Sequence, residues 1–66
     1  MTRLEAIKYG VNRYKTRTPG EEVPSILYEK DGNYQAVTWS DENYATECGW
    51  KYAGNIPDEA RVLGLI

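Results

Sequence analysis

Residues 24–39 read PSILYEKDGNYQAVTW, and this stretch predicts a β-hairpin that turns at Asp31 and Gly32. Asp-Gly between two β-prone runs favours a type I′ turn, which needs a positive φ at both central positions. A two-residue loop also fixes how the two strands face each other. The predicted pairs are Lys30 with Asn33, Tyr28 with Gln35, Leu27 with Ala36 and Ile26 with Val37.

The hairpin has two faces, because successive side chains of a strand point to opposite sides. One face carries the heavier apolar load and is predicted to lie on the core: Pro24, Ile26, Tyr28, Gln35, Val37 and Trp39. The other face carries Val23, Ser25, Leu27, Glu29, Tyr34, Ala36 and Thr38. A longer loop with a bulge would exchange the two faces, so the choice depends on the turn.

Residues 2–17 are predicted to form an amphipathic helix. Thr2 and Glu5 match a capping box at its start, and Pro19 ends it because a residue before proline avoids the α region. Gly10 lies inside this helix, where it permits a close approach to the sheet. The apolar stripe that defines the buried side consists of Leu4, Ile7, Val11 and Tyr14.

The second half of the chain contains shorter elements. Residues 41–47 fit either a short helix capped by Ser40 or a polar loop, and the pattern does not separate the two. Residues 50–53 alternate like a strand, with Trp50 and Tyr52 on one side. This strand is expected to join the hairpin, since a stable sheet usually needs three strands.

The C-terminal segment predicts a turn followed by a helix. Gly54 and Asn55 indicate the turn, and a proline in the first helical turn followed by acids indicates a helix from residue 56 that stops at Gly64. Leu65 and Ile66 are expected to dock on the body of the protein. Together these elements predict one α+β domain over residues 1–66, with an N-terminal helix on a three-stranded antiparallel sheet and a short C-terminal helix.

Composition excludes several chemistries. The chain has no histidine and only one cysteine, Cys48, so His-dependent nucleophile schemes and a structural zinc site are not available to it. No glycine-rich phosphate cradle is present, and no metal, cofactor or catalytic activity is expected. The lone cysteine, with no signal peptide and no transmembrane stretch, predicts a cytoplasmic protein without a membrane partner.

The charge of the chain is divided unevenly. Residues 1–20 contain five basic side chains against one acidic side chain, which gives +4. Residues 21–66 contain three basic side chains against nine acidic ones, which gives −6. Such a division indicates either an interaction surface or mutual attraction of the two segments.

Two sets of residues are candidates for binding. Exposed tyrosines with neighbouring acids predict a protein-binding surface, because Tyr is favoured at interfaces; its members are Tyr34, Asp41, Glu42, Tyr44, Glu47 and Tyr52. The alternative is nucleic-acid binding by the basic helix, in which Tyr9, Arg13 and Arg17 recur at a spacing of four residues.

Residues 49–57, GWKYAGNIP, resemble the closing strand of several small bacteriophage accessory proteins. The small size and the aromatic-rich surface resemble the same group. The resemblance implies a stoichiometric inhibitor of a host defence or nucleic-acid-handling complex, such as a CRISPR effector, that acts in the host cytoplasm as a monomer or homodimer. An acidic surface of such an inhibitor can imitate a nucleic-acid backbone.

Overall fold

A computed structural model describes all 66 residues of the chain. The elements in chain order are α1 (Arg3–Lys15), β1 (Ile26–Lys30), β2 (Asn33–Val37), a 3-10 turn (Trp39–Asp41), α2 (Glu42–Glu47), β3 (Lys51–Asn55) and α3 (Ile56–Val62). The three strands form one antiparallel sheet in the order β2-β1-β3. The predicted α+β fold is therefore confirmed.

The hairpin turns where the sequence predicts. Asp31 and Gly32 have φ values of 52° and 81°, the left-handed conformations of a type I′ turn. The Glu29 carboxylate accepts a hydrogen bond from the Gly32 N–H at 3.0 Å. The pairing of β1 with β2 contains the four predicted pairs, and Glu29 with Tyr34 completes the same register.

The prediction of a single core face is wrong, because both faces of the sheet are buried and the larger cluster lies on the other one. Leu27, which the prediction placed on the other face, is 0% exposed. It packs in the larger cluster with Ala6, Ile7, Val11, Ile56 and Ala60 from α1 and α3. The face predicted to carry the core holds a smaller cluster of Tyr28, Val37 and Ala45. Both faces are covered because α1 and α3 lie on one side of the sheet and α2 lies on the other.

Helix α1 begins as the capping box predicts. The Glu5 N–H donates to Thr2 Oγ1 at 3.1 Å, and the Thr2 N–H donates to Glu5 Oε1 at 2.8 Å. The predicted apolar stripe is wrong at its ends, because Leu4 and Tyr14 are exposed. The buried side consists of Ala6, Ile7, Gly10 and Val11, so small residues face the packed elements.

The C-terminal half follows the prediction in type but not in every boundary. The helical alternative for residues 41–47 is confirmed, although the Ser40 side chain does not cap α2. The predicted turn at 54–55 is wrong, since β3 continues through both residues and α3 starts directly at Ile56. Asn55 instead caps α3, and its side chain accepts from the Asp58 N–H at 3.3 Å. At the other end Leu65 packs on the larger cluster, whereas Ile66 is exposed.

Candidate protein-interaction surface

The α2 side of the sheet is organised around Tyr28. Its ring is buried, and its hydroxyl donates to Glu42 Oε1 at 2.8 Å. This hydrogen bond to a carboxylate raises the pKa of Tyr28, because the ionised phenol could not donate it. The Tyr52 ring meets Tyr28 edge-on, with ring centroids 6.1 Å apart and an interplanar angle of 89°. Tyr28 thus connects α2 to β3.

Helix α2 has only six residues, and its C-terminus is held by a Schellman motif. Gly49 adopts a φ of 91°, and its N–H donates to the Thr46 carbonyl at 3.1 Å. The Trp50 N–H donates to the Ala45 carbonyl at 3.0 Å, and Trp50 packs beside Ala45 in the smaller cluster. These contacts fix the position of a helix that is too short to be stable alone.

A lysine from the hairpin adds to this C-terminal cap. Lys30 Nζ donates to the carbonyl of Cys48 at 2.6 Å. A cation at this position also opposes the partial negative charge at a helix C-terminus. The hairpin and α2 are therefore joined at the end of the helix as well as at Glu42.

The approach to α2 is held by hydroxyl–carboxylate contacts. Thr38 Oγ1 donates to Asp41 Oδ2 at 3.0 Å, and Ser40 Oγ donates to the Glu22 carboxylate. The Ser40 bond is the main cause of a lowered pKa of Glu22. The Ser40 hydroxyl therefore serves the loop before β1 instead of capping α2.

Three large aromatic side chains on or beside this α2 scaffold remain exposed. Trp39 is 75% exposed, Tyr44 is 70% exposed and Tyr52 is 64% exposed. Three carboxylates accompany them in the same elements, and none forms an ion pair within the chain. We call this set the aromatic–acidic face; its members are Trp39, Asp41, Glu42, Tyr44, Glu47 and Tyr52.

Five of the six residues predicted for protein binding belong to this face. Tyr34 does not, because it points to the opposite side of the sheet and packs half-buried against the larger cluster. The sequence prediction misses Trp39 because it continues the alternation of β2 through this residue and places its side chain in the core. The strand ends at Val37, and the 3-10 turn that follows carries Trp39 out to solvent. The acids that follow Trp39 in the sequence were the available signal for that turn.

The basic helix keeps its arginines engaged with its own chain. Arg13 forms an ion pair with Glu21, while Arg17 donates to the Tyr14 carbonyl at 2.6 Å and stacks 3.8 Å above the Tyr14 ring centroid. The third predicted residue, Tyr9, is exposed and lines the same groove as Arg13, while Arg17 lies against Tyr14 instead. The structure therefore brings Tyr9 and Arg13 together without Arg17, and both arginines are engaged within the chain.

No group of three or more His, Cys, Asp or Glu side chains is placed to hold a metal ion. None of the helices has the length and apolar character needed to cross a bilayer. No known protein family, curated protein or solved structure matches this chain.

Proposed function

We propose that this chain is a non-catalytic protein-interaction module that binds its partner through the aromatic–acidic face. The observation that carries the proposal is the exposure of Trp39, Tyr44 and Tyr52 on a scaffold held by Tyr28, Lys30 and Gly49. Trp and Tyr supply most of the binding energy at many interfaces, and a fixed scaffold reduces the entropy lost on binding.

The chemistry of this face favours a basic partner surface. Asp41 lies in the same turn as Trp39, and Glu42 and Glu47 lie in the same helix as Tyr44; none of the three carboxylates pairs with a cation of the chain. Carboxylates arranged in this way attract a positively charged groove and guide the encounter with it. A complex that handles nucleic acid offers such a groove, so the proposed role is that of a phage-type inhibitor of a host defence complex.

The nucleic-acid alternative has less support. Arg13 and Arg17 contact Glu21 and Tyr14, and a phosphate would have to displace these contacts. Of the other cations of α1, Arg3 pairs with Glu59, and Lys8 and Lys15 are exposed beside one shallow pocket that contains no aromatic side chain. A surface of this kind does not combine the basic groove and the stacking aromatics of single-strand binders.

The test is capture of partners from bacterial lysate with the tagged protein, with and without nuclease. We expect one dominant nuclease-resistant protein whose affinity falls about 30-fold in Tyr44→Ala and Tyr52→Ala, as for central interface aromatics. Tyr14→Ala, at another exposed tyrosine that lies on α1, is the control and should bind normally. Binding that survives both substitutions, or that disappears with nuclease, contradicts the proposal.

A further inference from the structure

The sheet has two edges, and the backbone groups of β2 point outward at alternate residues. The two-residue turn makes Lys30 and Asn33 a hydrogen-bonded pair. Because hydrogen-bonded pairs alternate along the register, the N–H and C=O groups of Gln35 and Val37 also point toward β1. The outward-facing groups therefore belong to Tyr34, Ala36 and Thr38.

The two ends of this edge are already occupied. The Tyr34 N–H donates to the Met1 carbonyl at 2.8 Å, so the start of the chain lies along the first part of the edge. The Thr38 carbonyl accepts from the Asp41 N–H at 3.0 Å. Between these two contacts the register leaves the N–H and C=O of Ala36 without a partner strand.

The opposite edge is protected by devices that β2 lacks. Strand β3 begins with Lys51, contains a register shift opposite Leu27 and Tyr28, and includes Gly54 with a φ of 140°. Charged residues, bulges and backbone distortions of this kind discourage pairing with another strand. Strand β2 is regularly paired and has neither lysine nor proline.

A groove of about 540 Å³ runs along the β2 edge. Tyr9 and Arg13 of α1 line one side of it, and Tyr44 of α2 lines the other. Arg13 is neutralised by Glu21, whereas Glu22 and Asp41 in the same groove accept hydrogen bonds from Ser40 and Thr38 and pair with no cation. The charge that remains in the groove is negative.

We propose that β2 receives an extended segment of the partner protein as a fourth strand, paired to the backbone of Ala36 and carrying a Lys or Arg. The free donor and acceptor of Ala36 select an extended backbone, since strand addition works through main-chain hydrogen bonds. Glu22 and Asp41 select the basic side chain. This inference rests on the proposed function, because Tyr44 belongs both to this groove and to the aromatic–acidic face.

A second copy of the chain fits this edge poorly. Two antiparallel β2 strands centred on Ala36 would place Thr38 of one copy opposite Tyr34 of the other. Met1 already occupies that position through its bond to the Tyr34 N–H. A short segment of a different protein can instead pair with Ala36 alone, without reaching the position that Met1 occupies.

The experiment selects peptides that bind the full chain from a random heptapeptide library made by mRNA display. The selected peptides are expected to contain a Lys or Arg. Their affinity should be about tenfold lower for Ala36→Pro, which removes the outward N–H but none of the bonds between β1 and β2. Ala36→Ser, which retains the N–H, is the matched control and should bind as the wild type does.

A second measurement does not depend on a folded proline variant. Hydrogen exchange of the Ala36 amide, followed by NMR, should slow when a selected peptide is added to the wild-type chain. The inference is overturned when no peptide is selected, when Ala36→Pro binds as well as Ala36→Ser, or when the Ala36 amide gains no protection. A dimer that Ala36→Pro abolishes would assign the edge to a second copy and overturn it too.

Binding of the lysate partner to the variants distinguishes a failure of this inference from a failure of the proposed function. If Ala36→Pro retains that partner while Tyr44→Ala and Tyr52→Ala lose it, the surface is correct and strand addition is wrong. Loss of the partner from all three variants, with Ala36→Ser unaffected, supports both.

Discussion

At Gly10, helix α1 packs closely against Ile56 and Pro24. A Cβ atom at this position would lie 2.8 Å from Cδ1 of Ile56 and 3.0 Å from the Pro24 carbonyl oxygen. Gly10→Ala is therefore expected to lower the free energy of unfolding by about 1–3 kcal/mol through overpacking, measured by urea unfolding. Helix propensity offsets about 1 kcal/mol of this cost, so the net loss is expected to be at most about 2 kcal/mol.

Asn12→Ala provides the control for that substitution. Asn12 is exposed on the same helix, so alanine there should be neutral or slightly stabilising. If Gly10→Ala proves more stable than the wild type, the close packing of α1 against Ile56 is wrong.

The same residue shows where prediction from the sequence stops. The sequence predicts the close approach at Gly10 but assigns it to the sheet, whereas Ile56 and Pro24 make the contact. Periodicity identified the large apolar residues Leu4 and Tyr14 as buried. The contacts of α3 instead select Ala6 and Gly10, and the position of α3 is not encoded in the pattern of α1.

At the scale of elements, Gly49 determines how α2 passes into β3. Its φ of 91° lies in the region that a Cβ atom disfavours, while the space around it is open apart from the Lys30 side chain. Gly49→Ala should lower the free energy of unfolding by about 1–2 kcal/mol through backbone strain. Gly49→Asn should lose less, since Asn tolerates this conformation, and thermal unfolding measured side by side can compare the two. Equal losses would indicate a steric cause instead.

The hydrogen bond from Tyr28 to Glu42 predicts a dependence of stability on alkaline pH. The folded-state pKa of Tyr28 is raised above its ordinary value of 10.0, chiefly by this bond and then by burial. Its contribution is fully present below pH 10 and is lost as pH rises through the raised pKa. Tyr28→Phe should therefore be less stable than the wild type at pH 8, with a difference that shrinks above pH 10.

Urea unfolding at a series of pH values measures that difference. Tyr44→Phe is the control, because the Tyr44 side chain is exposed and makes no such buried contact. A difference between Tyr28→Phe and the wild type that stays constant with pH would refute the role of the phenol proton.

The strands also show why register was predictable and the core face was not. Asp31 and Gly32 fix the pairing through local conformation alone. The choice of face depends on what covers the sheet, and β1 places Leu27 and Tyr28, which are buried on opposite sides, next to each other. A strand that is apolar on both sides carries no alternation from which to choose.

At the scale of the whole molecule, the basic and acidic segments do attract each other. Arg3 of α1 pairs with Glu59 of α3, and Arg13 pairs with Glu21 in the loop before β1. The charge division was visible in the sequence, but the partners depend on the fold. It also explains the candidate site in part, since the acids left over from these pairs include those of the aromatic–acidic face.

Two adjacent acids in the loop before β1 connect α1 to the turn before α2. Glu21 accepts from the Thr18 N–H at 3.0 Å and pairs with Arg13, while Glu22 accepts from Ser40. These contacts lower the pKa of both carboxyl groups below the ordinary value of 4.5. A lowered pKa means that the contribution to stability is present above about pH 4.5 and is lost as pH falls through the folded-state value.

Replacing both acids should therefore make the free energy of unfolding depend less on pH in the acidic range. Glu21→Gln combined with Glu22→Gln is expected to be less stable than the wild type at pH 7, with the difference closing below pH 4.5. Urea unfolding between pH 3 and pH 7 measures it, and Glu47→Gln, at an exposed position on α2, is the matched control. The contacts of this loop join α1 to the turn before α2. Removing them should therefore lower the midpoint of one unfolding transition that both elements share. If α1 and α2 instead unfold in separate transitions in the wild type, Glu21 and Glu22 do not couple these two helices.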